Sequence, residues 1–132
     1  MTVGKFISQQ ALLTITPEQT LSEAGRAMIK RRVGSAVVTV ADEPSGIITE
    51  RDLLRAIADG VDFDVAKVSE YMVRKAVTVT DRWHVVDAAT TMIERGFRHL
   101  VVVDEEGKVT GILSMRDMMR ALLDDRRQSL AG

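Results

Sequence analysis

Two short segments of the chain carry residues whose types and spacing could do chemistry. Thr49 and Asp52 stand three residues apart in "GIITERD", and Ser114 and Asp117 repeat that spacing in "GILSMRD". In both segments an apolar run passes directly into an amphipathic one, which predicts a strand followed by a helix start with free backbone N–H groups and a positive dipole end. A hydroxyl and an acid at such a junction cap the helix or hold a ligand. Capping explains each segment alone, but it does not explain why the same Arg-Asp pair recurs.

The arginines of these pairs, Arg51 and Arg116, have two interpretations. One is a solvated surface side chain, which is the common fate of arginine. The other is a guanidinium that binds a phosphate group through its planar set of donors. The sequence leaves both open.

The two segments belong to an internal repeat that covers nearly the whole chain. Thr49 and Ser114 are 65 residues apart, and the same offset pairs Val3 with Val68. Between these anchors the offset is 64 residues, as for Met28 and Met92. Each change of offset is a single-residue difference that we assign to a loop. A repeat of this kind determines the architecture of the chain.

Each copy is predicted to have the order β-α-β-β-α. A short β-rich run precedes a helix with apolar residues at helical spacing, and Thr20 to Glu23 has the spacing of a capping box. Two strands joined by the turns "DEPSG" and "DEEGK" follow, and then the helices from Asp52 and Asp117. We expect Leu53, Leu54 and Ile57 on the buried side of the first of these helices. In the second helix we expect the same of Met118, Met119 and Leu122.

The predicted fold class is α/β, of α+β-like character. A unit of roughly 60 residues buries little surface, so we expect two repeats packed through their sheets about a pseudo-twofold axis. We assign residues 1–67 to repeat 1, with a connector from about residue 60 that is partly helical from Asp64, and residues 68–132 to repeat 2. Together they are predicted to form one globular module, with a frayed tail after Leu123.

Composition limits the functional classes. Lys and Arg total 18 against 19 Asp and Glu, so no overall field attracts nucleic acid or an anionic membrane. Cysteine is absent, which removes disulfides, thiolate metal sites and a cysteine nucleophile. With only His84 and His99 as histidines, we expect no metal site. No apolar run reaches membrane-spanning length, so a cytoplasmic protein is the default.

The repeat resembles a known family. The duplicated pattern of Gly, two apolar residues, Thr or Ser, two residues and Asp, with "HLVVVDEEGKVTG" before its second copy, is similar to the tandem CBS-domain (cystathionine β-synthase domain) family. The resemblance covers both copies and the connector.

The resemblance implies a binding site for an adenosine derivative such as AMP, ADP, ATP or S-adenosylmethionine, in the cleft between the two repeats. Asp52 and Asp117 would then bind the ribose, and Thr49 and Ser114 would approach the phosphates. A carboxylate suits the ribose because it accepts charge-assisted hydrogen bonds from both vicinal hydroxyls. The implied adenine contacts are main-chain groups of the middle strands, at Ala36, Val37, Leu100 and Val101.

The two copies differ in charge near the implied site. The first copy has Gln9, Gln10, Gly34 and Ser35 where the second has Arg74, Lys75, Arg98 and His99. The resemblance implies that these positions often face the ligand. We therefore expect Arg74, Lys75, Arg98 and His99, with Arg51 and Arg116, to contribute phosphate contacts, and the second copy to prefer the more highly charged ligand. Ordinary surface variation is the alternative.

The function that the resemblance implies is a non-catalytic regulatory module that senses cellular energy through AMP, ADP or ATP. We expect no obligatory cofactor, a homodimer, and a regulated protein that the sequence does not identify. The alternatives are a ligand-free dimerisation scaffold, a sensor of S-adenosylmethionine, and a small enzyme. No pair of base and nucleophile supports the last of these.

Overall fold

Both copies of the repeat contain the order β-α-β-β-α after a short opening helix, and the second copy has one additional short strand after that helix. A computed structural model describes residues 1–74 and 76–131, which form six helices and seven strands in two sheets. The elements of the first half are α1 Val3–Ile7, β1 Thr14–Ile15, α2 Leu21–Arg31, β2 Ser35–Val40, β3 Glu43–Thr49 and α3 Glu50–Ala58. Those of the second are α4 Val68–Tyr71, β4 Val73–Arg74, β5 Thr78–Thr80, α5 Val85–Arg95, β6 His99–Val103, β7 Val109–Ser114 and α6 Met115–Ala131. The mixed α/β class and the β-α-β-β-α order are confirmed.

The chain packs as two compact units whose limits differ from those of the sequence copies. Residues Ala11–Ala76 form the first, which we call the Asp52 unit. Met1–Gln10 join the chain from Val77 onward to form the second, the Asp117 unit. The short helix that opens each copy therefore packs in the unit of the other copy's motif. Val3 N–H donates to the Trp83 carbonyl at 2.7 Å, and Val68 N–H donates to the Gln19 carbonyl at 2.8 Å.

Each unit has its own apolar core, built by the face of one long helix against a sheet. In the Asp52 unit α2 contributes Leu21, Ala24 and Met28, and the corresponding residues of α5 in the Asp117 unit include Met92. The capping box at the start of α2 is confirmed, and the hydrogen bonds from Thr20 lower the pKa of Glu23. Met28 and Met92 are buried, as expected for methionines that fill gaps in a core.

The sheets share a topology that places the motif at the end of a hairpin. β2 is parallel to β1 and antiparallel to β3, and β6 is parallel to β5 and antiparallel to β7. The turn after β6 spans the predicted segment, where Asp104 Oδ1 accepts from the N–H groups of Glu106 and Lys108. The first turn was predicted too late. It consists of Ala41 and Asp42, both with positive φ, as in a two-residue hairpin turn.

The predicted buried faces of α3 and α6 were partly wrong: Met118 is buried as predicted and Leu53 packs half-buried against the core, but the other four residues are exposed. The interior residues are Asp52 and Ala56 in α3, and Met118 and Ala121 in α6. These pairs are one helical turn apart, so they share one face. In α3 Leu54 and Ile57 lie on other faces and are exposed, by 63% and 62%. In α6 the exposed residues are Met119 and Leu122.

Two further expectations about helix limits were wrong. The connector is not helical from Asp64, because Asp62 Oδ1 accepts from the Asp64 N–H in a turn and the helix begins only at Val68. The tail after Leu123 continues α6 to Ala131. In the part of the chain that the structure describes, no helix combines the length and the apolar character needed to cross a membrane.

Candidate functional site

In the Asp52 unit the motif forms a reciprocal cap where β3 passes into α3. The Asp52 Oδ2 atom accepts from the Thr49 backbone N–H at 2.8 Å and from the Thr49 hydroxyl at 3.1 Å. The Asp52 N–H donates to Thr49 Oγ1 at 3.4 Å. Both motif side chains therefore satisfy backbone groups that a helix start leaves without partners.

The second carboxylate oxygen of Asp52 is also occupied. Asp52 Oδ1 accepts from Arg55 Nη2 at 2.8 Å, and the same nitrogen donates to the Tyr71 carbonyl at 3.1 Å. The Arg55 guanidinium lies over the Tyr71 ring, 6.0 Å from its centroid. The Tyr71 hydroxyl donates to Asp59 Oδ2 at 2.7 Å, which raises the pKa of Tyr71. Asp52 is only 4% exposed, so this network and the helix cap enclose its carboxylate.

The junction of the Asp117 unit has the same cap without that network. Asp117 Oδ2 accepts from the Ser114 N–H at 3.0 Å, and Ser114 Oγ accepts from the Asp117 N–H at 3.1 Å. Asp117 is half-buried, whereas Asp52 is buried. Ion pairs within residues 1–74 and 76–131 join Asp52 to Arg55 and Glu105 to Arg82, and Asp117 has none there. Arg120, which corresponds to Arg55, is exposed.

The residues beside the two motifs differ in charge. At the Asp117 junction Arg98 accepts from the Met115 N–H at 3.1 Å through its carbonyl, and His99 pairs with Ser114 across the sheet. At the Asp52 junction the same bond joins Gly34 to Glu50 at 3.0 Å. The Glu50 carboxylate lies over Gly34, with Oε1 2.5 Å from where a Cβ on that glycine would be. An acid and a glycine at one junction thus correspond to a methionine and an arginine at the other.

The motif glycines are explained by packing. A Cβ on Gly46 would lie 2.5 Å from the Val73 carbonyl oxygen, because β4 pairs with β3 at this point. A Cβ on Gly111 would lie 2.5 Å from Ile7 Cδ1 and 3.0 Å from Gln10 Oε1. Each glycine therefore makes room for the segment that precedes the first strand of the other copy. These are positions where backbone or side chain must approach closely.

The remaining predicted residues are distributed over both units. Arg51, Arg116, Arg98 and Arg74 are exposed, and His99 and the hydroxyl residues are half-buried. Arg74 lies in the Asp52 unit, where its Nη2 donates to the Ser69 carbonyl at 2.9 Å. Lys75 lies outside the described residues. The residues predicted to contact adenine are fully buried in the middle strands: Ala36 and Val37 in β2, and Leu100 and Val101 in β6.

Sequence reasoning overlooked Arg55 and Glu50. The i, i+3 spacing of Asp52 and Arg55 was an available signal, because residues three apart are neighbours on a helix surface. The contact of Arg55 with Tyr71 had no such signal, since those residues are distant in sequence. As for metals, no group of three or more acidic or histidine side chains in the described ranges is placed to hold an ion.

Comparison with known proteins identifies the repeat. The CBS domain model matches the chain twice, at residues 3–59 and 68–124. A 17.7 kDa protein of Acidianus ambivalens is 40% identical over 89% of this chain and 71% of its own length. A protein of Methanopyrus kandleri is 34% identical over 91% of this chain, which spans only 62% of that relative.

Solved structures agree with this match. A CBS domain protein from Pyrobaculum aerophilum complexed with AMP has a TM-score of 0.79 and 31% identity, with 89% of each chain covered. The CBS-pair protein CBSX2 of Arabidopsis thaliana in complex with AMP has a TM-score of 0.75 and 28% identity, over 95% of this chain and 98% of the other. Both halves of the repeat are included in these coverages. The chain belongs to the CBS domain family and carries two CBS domains.

Proposed function

We propose that the protein is a non-catalytic regulatory module that binds an adenosine derivative, AMP, ADP or ATP, through its hydroxyl-x-x-Asp motif. The observation that carries the proposal is the junction of the Asp117 unit. There a half-buried carboxylate at a helix start lies beside Ser114, His99 is the first residue of the neighbouring strand, and Arg98 directly precedes it. A carboxylate accepts from ribose hydroxyls, and guanidinium and helix N–H groups bind phosphate.

The two similar structures that hold AMP support this choice of ligand. The charges of the described residues support it as well. Arg98 and Arg116 outnumber the acids at the Asp117 junction, while Glu50 adds an acid at the other. Regulation would follow from differential affinity: the ligand favours one conformation of the module, and a regulated protein recognises that conformation.

The experiment is a thermal-shift panel with AMP, ADP, ATP and S-adenosylmethionine, followed by calorimetric titration. A ligand at about 100 times its dissociation constant adds roughly 2.7 kcal/mol to the free energy of unfolding, which raises the melting temperature by several degrees. We expect AMP to do so. A larger shift with S-adenosylmethionine than with any nucleotide would favour the alternative sensor.

A ligand-free scaffold is the second candidate, and one observation favours it. The Asp52 carboxylate is engaged within its own unit, so one of the two motifs has a structural role. No shift and no heat with any ligand of the panel would contradict the proposed function and leave the scaffold as the candidate. An enzyme would instead reveal itself by steady-state turnover of ATP or S-adenosylmethionine. The homodimer, the unidentified regulated protein and the cytoplasmic location stay predictions.

A further inference from the structure

We infer that Arg55 determines which motif binds the ribose: it occupies Asp52, so that the adenosine site uses Asp117. This inference rests on the proposed function and assigns different roles to the two acids that the repeat makes equivalent. It starts from the hydrogen-bonding capacity of a carboxylate. A ribose diol needs accessible acceptor positions, and they are scarce when the partners of both oxygens come from the protein.

At Asp52 both oxygens have protein partners. Oδ2 holds the Thr49 N–H and hydroxyl, and Oδ1 holds Arg55 Nη2. Arg55 has two further contacts, with the carbonyl and the ring of Tyr71. An ion pair with one exposed partner contributes little free energy alone. An arginine that is held by several contacts must break all of them to move, so its displacement costs more free energy. A ribose would have to displace Arg55 from Asp52 before the diol could bind.

At Asp117 the equivalent residues do not form this network. Phe6 corresponds to Tyr71 and has no hydroxyl to bind an acid. Arg120 corresponds to Arg55, and within residues 1–74 and 76–131 no ion pair joins it to Asp117. Within the described residues the Asp117 carboxylate accepts one hydrogen bond, at Oδ2 from the Ser114 N–H. Its Oδ1 atom is therefore the acceptor that a ribose diol can reach without displacing a protein group.

The test uses adenosine, which has the ribose diol and no phosphate, in calorimetric titrations of the full chain. Wild type is expected to show one binding event per chain. D117N keeps an oxygen to cap α6 but removes the charge, so it should weaken this event about tenfold or more. D52N should change it less than twofold. Two events of similar affinity in wild type, or loss of the single event in D52N, would overturn the inference.

The decisive variant is R55M, which keeps the unbranched stem and helix propensity but cannot donate to Asp52. It is expected to gain a second adenosine event, which D52N removes and 2′-deoxyadenosine weakens. The matched control R120M should keep one event, and so should R55K, which retains the charge. An unchanged count in R55M would overturn the inference. Absence of any event in wild type would instead contradict the proposed function.

The ion pair itself is tested without ligand. The urea midpoints of wild type, D52N, R55M and the double variant form a double-mutant cycle. If Arg55 holds Asp52, D52N should lower the midpoint less in the R55M background than in wild type. Additive effects would show that the two residues are independent and would overturn the inference whatever the titrations give.

Discussion

At the scale of single residues, the two motifs have the same spacing and unequal surroundings. Each hydroxyl and acid forms a helix cap, so capping and ligand binding are not exclusive explanations. The two junctions differ in the residue that follows the motif hydroxyl and in the residue that precedes the neighbouring strand. Glu50 covers Gly34 at one junction, while Arg98 lies beside Met115 at the other. The first junction thus has a carboxylate over a glycine, and the second has Met115 and Arg98 at the corresponding positions.

This difference predicts how Arg98→Ala acts. The variant should weaken AMP about tenfold or more, because a charge-assisted hydrogen bond contributes roughly 1.5 to 3 kcal/mol. Adenosine, which has no phosphate, should bind within about twofold of wild type. Calorimetric titration of both ligands measures the contrast, with Arg126→Ala as control for the loss of an exposed arginine. Equal losses for AMP and adenosine would contradict a phosphate contact.

At the scale of elements, the two units pair the edge of their motif hairpin in different ways. In the Asp52 unit β4 supplies backbone, with Val73 opposite Ile47. In the Asp117 unit a side chain does so: Gln10 Nε2 donates to the Ile112 carbonyl at 2.7 Å, and Gln10 Oε1 accepts from the Ile112 N–H at 2.9 Å. The primary amide thus replaces one residue of a strand.

Gln10→Ala is therefore expected to destabilise the protein. The substitution removes the hydrogen-bond partners of the Ile112 N–H and carbonyl, and Ile112 is only 8% exposed. A buried polar group without a partner costs about 1–3 kcal/mol. The free energy of unfolding from urea titration measures the loss. Gln9→Ala, the same change at an exposed neighbour, is the control and should lie within about 0.5 kcal/mol of wild type. Equal effects of the two variants would exclude the pairing role.

The elements that the sequence predicted well are those with local signals. The capping box at Thr20, the order of elements and the turn at Asp104 each depend on neighbouring residues, and all were found. The first hairpin turn was placed too late because "DEPSG" is typical of turns, whereas Ala41 is unusual at positive φ. The pairing of Val40 with Glu43 across β2 and β3 places the turn at Ala41 and Asp42, although alanine disfavours positive φ.

Other features had no local signal. The exchange of opening helices between units depends on contacts such as Val3 with Trp83, which are far apart in sequence. The contact of Arg55 with Tyr71 has the same origin. The exposed faces of α3 and α6 were missed because apolar residues occupy more than one side of each helix, so apolar spacing alone did not identify the buried face. The candidate acids were predictable, but not the inequality of their accessibility.

At the scale of the whole molecule, both units expose apolar residues on equivalent helices. In the Asp52 unit the side chain of Ile29 on α2 is 81% exposed, and α3 adds Leu54 and Ile57. A groove of about 470 Å³ between these helices is lined by residues that include Met28, Ile29, Val33 and Leu53. In the Asp117 unit Ile93 on α5 is 68% exposed, and α6 adds Met119 and Leu123. Clusters of this kind are typical of surfaces that bind another protein.

We expect a second copy of the chain to cover these helices, since homodimers with closed twofold symmetry are the commonest oligomers. Light scattering at micromolar concentration should then give about twice the chain mass of 14.6 kDa. Ile29→Glu combined with Ile93→Glu should return the mass to that of one chain, because burial of each isoleucine contributes roughly 1.5–3 kcal/mol and a glutamate there would lose its hydration. Val40→Glu makes the same kind of change at a strand residue that is 56% exposed, and it should leave the dimer intact. A monomeric wild type, or a double variant that keeps the dimer mass, would show that these helices do not form the interface.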